Sequence, residues 1–172
     1  MMSRFEPNEQ YDYYKHQSVY ISDYIKVADN KTGLTLGVTG VFFAFMVNEM
    51  KDLWKGGFNE SVYKDWLFYV FSAALIILLI GIFFLAKVIW PNYPTSTADY
   101  HSWGGIGSFP RSSAYAVFLR GAFNDKEEFL KEMAEQNHSL ASVCLKKFKR
   151  LKLSYRFLAV GAVLVMFPWF AS

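Results

Sequence analysis

Between residues 100 and 120 the chain carries two flat aromatic faces, Tyr100 and Trp103, and two guanidinium forks, Arg111 and Arg120. Such rings stack on a planar base, and arginine offers paired donors to phosphate oxygens. Gly104, Gly105 and Gly107 stand among them and let a ligand come close to the backbone. These residue types suit a planar anion of the nucleotide class. Their spacing is not a fingerprint: the glycines neither follow a strand, as in dinucleotide sites, nor precede a lysine, as in phosphate loops.

Catalysis has less to work with. His16, His101 and His138 are scattered, and no His/Cys spacing of a metal site occurs, so neither metal nor cofactor is expected. Ser139 and Cys144 lie near His138 without forming a nucleophile and an oriented base, and no catalytic residue is expected. Cys144 is the sole cysteine, which excludes an intramolecular disulfide and fits a reducing compartment and a small packing role. The expectation is a binding protein, not an enzyme.

The elements that must position these residues are set by the bilayer. From Trp66 to Ala86 no acid or base interrupts twenty-one positions, and at about 1.5 Å per residue they cover the ~30 Å hydrocarbon core. Residues 66–90 are therefore read as a span, with Trp66 and Trp90 at its two interfaces. Residues 32–48 are uncharged but short and Gly/Thr-rich, and residues 153–172 carry only Arg156, close enough to one end to snorkel. The fold expected is an all-α membrane protein with three transmembrane helices and a small helical cytoplasmic region.

Lys and Arg concentrate before the first span and in residues 91–152, whereas residues 49–65 hold three lysines offset by four acids. The positive-inside bias puts the N-terminus and the 91–152 segment in the cytoplasm, residues 49–65 outside, and the C-terminus outside. The first fifteen residues lack an apolar signal region, so the first span is expected to act as the uncleaved membrane signal.

Within the cytoplasmic part, residues 8–31 place Tyr13, Tyr20, Ile21, Tyr24, Ile25 and Ala28 on roughly one side of an amphipathic helix that feeds into the first span. Pro, Gly and Ser break regular structure after Trp90, and residues 114–122 fit either a short helix or a strand. Asn124 then caps a helix, with Glu127 three positions later. No Pro or Gly follows until Gly161, so one long helix is expected to run on into the third span. Its stripe of Phe129, Met133, Leu140, Cys144, Phe148 and Leu151 needs a partner, either the N-terminal helix or another copy.

Gly33, Gly37 and Gly40 allow close helix approach, and Thr35 and Thr39 add hydroxyls four residues apart. These five residues serve either packing within the chain or a pore or contact between subunits. Three spans are too few to enclose an aqueous path, so conduction would need a homo-oligomer. Asp29 and Lys31 mark the cytoplasmic mouth of the first span, and the basic run from Lys146 to Lys152 suits anionic headgroups better than duplex nucleic acid.

The stretch YISDYIKVADNKTGLTLGVTGVFFAFMV resembles the approach to the first span in the Pycsar transmembrane effector family. The later WGGIGSFPRSSAYAVFLR and the long DKEEFLKEMAEQNHSLASVCLKKFKRLKLSYRFLAV resemble that family's linker and last helix. Matching positions are Ala28, Asp29 and Lys31, then Gly104 and Gly105, then Lys146, Lys147 and Lys149. The resemblance implies antiphage defence at a bacterial inner membrane. A partner cyclase or nucleotidyltransferase would make a nucleotide second messenger, and this chain would sense it on the cytoplasmic side and breach the membrane. The alternatives are a three-span scaffold of a signalling complex and a ligand-independent membrane toxin.

Overall fold

The computed structural model describes residues 7–55, 62–90, 103–122 and 124–171, all of them helical or in short turns. In chain order the helices are α1 (Pro7–Lys55), α2 (Val62–Ile89), α3 (Trp103–Gly107), α4 (Ser112–Ala122) and α5 (Lys126–Ala171). α1 opens on a proline at its first helical position, where the missing N–H costs nothing. It then continues without a break through the polar arm, the glycine-rich stretch and the first part of the loop expected at residues 49–65. α5 is likewise one helix from Lys126 onward, in keeping with the absence of breakers before Gly161.

Two compact units divide these helices, the first comprising Met1–Lys26 and Pro91–Lys146, the second Val27–Trp90 and Lys147–Ser172. In the second unit α1, α2 and α5 bury faces that step by three and four residues. On α2 the series is Phe71, Ala74, Leu78, Gly81, Leu85 and Val88; on α5 it includes Lys147, Leu151, Ser154, Gly161 and Val165. Ala28, Thr32, Thr39 and Met46 form the matching face of α1. An average repeat of 3.5 residues is that of helices wound gently around one another, each side chain seated between those of its neighbour.

Glycines make the closest contacts of this bundle. A Cβ on Gly81 would lie 2.8 Å from Leu158 Cδ2, and one on Gly161 would lie 2.8 Å from Leu78 Cδ2. Each of α2 and α5 thus sets a leucine against the other's glycine. Two apolar clusters flank this contact: Met46, Phe71, Ala74 and Val165, and Leu85, Val88 and Leu151. Phe84 and Phe157 stack between α2 and α5 at 5.7 Å with nearly parallel rings.

Two helical stretches are long and apolar enough to cross a membrane, one within Asn8–Lys51 and one at Trp66–Ile89. Only 11% and 22% of their apolar windows are buried, whereas the core helix of a soluble protein would be mostly covered. Leu34, Val38, Val41, Ile76, Leu79 and Phe83 all face outward. The expected third span does not qualify among the described residues. Lys149, Arg150 and Lys152 immediately precede that stretch, Arg156 lies near its start, and the side chains beyond Met166 lie outside the description.

In the first unit α5 pairs with the beginning of α1. Tyr11 stacks on Phe129 at 6.2 Å, and Asn137 Nδ2 donates to the Tyr14 carbonyl at 2.9 Å. Asn137 is buried within the apolar stripe of α5 and fixes the pairing by one directed bond. The inward face of α1 also differs from the one expected. Tyr14, Ser18, Ile21 and Ile25 are half-buried, while Tyr13, Tyr20 and Tyr24 are exposed one step round the helix.

Residues 112–122 are helix, which decides between the two alternatives, and WGGIG forms the short α3 where glycines pointed to irregular chain. Phe109 packs on Tyr115 and Phe118 of α4 at 5.1 and 5.5 Å. The cap of α5 is Asp125, one residue later than expected. Its Oδ1 accepts from the backbone N–H groups of Glu127 and Glu128, both at 3.1 Å.

The glycine contacts generate a contrast between two substitutions. Gly161→Leu forces a side chain into Leu78 and is expected to cost about 1–3 kcal/mol, whereas Gly37, with nothing within 4 Å of its Cβ position among the described residues, tolerates the same change. Unfolding of the two variants in detergent checks this, and equal losses would contradict the assignment of Gly161 to the bundle contact.

Candidate functional site

The charged end of the second unit is built by three helices. Lys147 Nζ donates to Asp29 Oδ1 at 2.5 Å, joining α5 to α1. The lysine side chain is 8% exposed and the aspartate 40%, so the ammonium has lost most of its water and depends on this carboxylate. Asp29 therefore pairs across to α5, and its sequence neighbour Lys31 is exposed.

One turn further along α5, Arg150 Nη1 donates to the Lys87 carbonyl at 2.8 Å. That carbonyl would look for the N–H of residue 91, which is a proline and has none. A guanidinium placed there supplies the missing donor and meets the negative end of the α2 dipole. The Lys87 ammonium itself lies 5.6 Å from the centre of the Phe83 ring and 5.8 Å from that of Trp90.

Hydroxyls line the helices just beyond. Thr32 Oγ1 donates to the Ala28 carbonyl and Thr35 Oγ1 to the Lys31 carbonyl, each at 2.7 Å. Thr35 also lies 3.3 Å from the Tyr155 hydroxyl of α5, and Thr39 is buried. Gly33, Gly37 and Gly40 point the other way, with open space where a Cβ would be. Close packing within the bundle rests instead on Gly81 and Gly161.

Of the residues suited to a nucleotide, Arg111 and Arg120 have described side chains. Tyr100 lies outside the described residues, and Trp103 begins α3, its side chain likewise outside the description. Arg111 precedes α4 and Arg120 lies in its last turn, both exposed. Nine residues of helix set them roughly 13 Å apart and on opposite faces. On α1 the exposed Tyr20 hydroxyl donates to that of Tyr24 at 3.2 Å, and this bond and the neighbouring phenol hold Tyr20 above the usual tyrosine range.

The inward roles of Lys147 and Arg150 were not foreseen, since both lie in the basic run assigned to anionic headgroups. A signal was present: Lys147 is four residues from Leu151 and three from Cys144, in step with the inward stripe.

Long helices with outward apolar faces and a cluster of charges at one end define a helical protein of the membrane class. The family model of the Pycsar effector protein domain matches residues 13–172, nearly the whole chain, and the chain belongs to that family. Comparisons with curated proteins and with solved structures give no match. Membership supports a cyclic-nucleotide-regulated antiphage effector that works with a cyclase-made messenger.

The Asp29–Lys147 pair predicts strong coupling. Asp29→Ala leaves a nearly buried ammonium alone and is expected to cost about 1–3 kcal/mol, less than for a fully buried pair because the carboxylate is partly solvated. Adding Lys147→Met should recover much of that loss. A double-mutant cycle by unfolding in detergent reads the coupling, and additive losses would mean that the pair contributes nothing.

Proposed function

We propose that this chain is a messenger-gated membrane effector in which several copies form a pore or ion channel in the bacterial inner membrane. The observation that carries the reading is the unbroken course of α1 and α5, each of which joins a charged stretch to an apolar one. A nucleotide bound at the polar end of such helices can bias their arrangement in the lipid. The end of α5 supplies the third span in this reading, and the N-terminus and residues 91–152 share the cytoplasmic side.

Homo-oligomerisation is supported by the outward side of α1. Gly33, Gly37, Gly40 and Ala44 follow one another at steps of four and three, exposed in the single chain. Small residues at that spacing let helices of neighbouring subunits approach, and in lipid such contact is the main source of association. The messenger, a cyclic nucleotide or short oligonucleotide, would bind between subunits through Tyr100, Trp103, Arg111 and Arg120, because one chain separates the two arginines. To convert a closed population to an open one it must bind the open state roughly 10⁴-fold more tightly.

Expression in bacteria with and without an active partner cyclase separates the readings. The gated effector arrests growth only when the messenger is made, a scaffold is harmless in both conditions, and a ligand-independent toxin kills in both. Arg111→Ala and Arg120→Ala should each abolish the conditional arrest while leaving membrane insertion intact. Arrest that persists in both variants would remove these arginines from the messenger site.

A further inference from the structure

The cationic end of the second unit carries charge with no acidic partner among the described residues. Asp29 is taken up by Lys147, Arg150 is spent on the Lys87 carbonyl, and Lys87 lies over two rings. Lys31 on α1 remains, as do three cations on α5, Lys149, Lys152 and Arg156, all exposed and without an acidic partner among the described residues. No Asp or Glu occurs after Glu135, so α5 itself offers no counter-charge at this level.

These three cations share one face. Lys149, Lys152 and Arg156 stand at i, i+3 and i+7, and the same face continues as the exposed Val160 and Val163. The row covers roughly 10 Å of helix, a little more than the ~5–8 Å headgroup layer into which long Lys and Arg side chains can snorkel, and turns apolar where hydrocarbon would begin. A row on a convex helix presents its cations one after another. It suits a surface of many phosphates and not a single enclosed one.

We propose that Lys149, Lys152 and Arg156 form a docking face for the headgroups of anionic phospholipids, which supply the counter-charge missing at the end of the bundle. The proposal rests on the membrane reading above. It adds a lipid requirement: the chain prefers phosphatidylglycerol to phosphatidylcholine, through this face. Near an anionic surface each such cation contributes severalfold to binding, so the preference should reach at least about tenfold.

Native mass spectrometry of the full chain, released from nanodiscs of phosphatidylcholine alone or mixed with phosphatidylglycerol, reads the retained lipids. The expected result is phosphatidylglycerol retained preferentially, the preference lost in K149Q/K152Q/R156Q and kept in K149R/K152R and in the distal control K126Q/K131Q. No preference in the unaltered chain, or a preference that survives the triple substitution, would overturn the proposal. Displacement of the bound lipid by inorganic phosphate would also overturn it, showing a site for soluble phosphate. Failure to enter nanodiscs of either composition would instead overturn the membrane reading itself.

Discussion

Close approach of α2 and α5 is the constraint on which the second unit depends. Lipid is as apolar as leucine, so helices surrounded by it gain little by hiding side chains and much by fitting together. Gly81 receiving Leu158 and Gly161 receiving Leu78 provide that fit at two adjacent levels. Ala28, Thr32, Ala74 and Ser154 add further small residues among the inward Met46, Phe71, Leu85 and Leu151, while Leu34, Val38, Phe83 and Val163 face outside. A soluble bundle distributes its residues the other way.

Polar groups fasten what the glycines bring together. Asp29 to Lys147 ties α1 to α5, and Arg150 to the Lys87 carbonyl ties α5 to α2, both at one end of the bundle. A slide of α5 by one turn, about 5.4 Å, would part the ion pair and uncap α2 at once. The three helices therefore have one register, and movement of α5 as a body carries the others with it. Arrangements of this kind favour two discrete packings over gradual deformation.

Much of this was legible in the sequence where a single strong force acts. The uncharged run from Trp66 and the breaker-free run from Asp125 gave α2 and α5 because length and apolarity or helix propensity act alone there. Faces were harder. Tyr13, Tyr20 and Tyr24 lie only one step from Tyr14, Ile21 and Ile25, and an amphipathic tyrosine suits either side, so periodicity did not choose the buried stripe. Gly33, Gly37 and Gly40 announced close packing by their spacing, yet the intramolecular contact belongs to Gly81 and Gly161, lone glycines with no pattern between them. The short α3 was hidden because its glycines are poor helix formers.

In the gated effector a nucleotide messenger on the side of the chain's charged end opens a path through the bilayer. Ion efflux from liposomes holding the purified chain reads this opening, with cyclic nucleotides and short oligonucleotides added one at a time. Efflux should rise with the concentration of one of them and stay at baseline without it. Sealed liposomes with verified insertion, accessible charged ends and no efflux for any cyclic nucleotide or short oligonucleotide would contradict messenger gating.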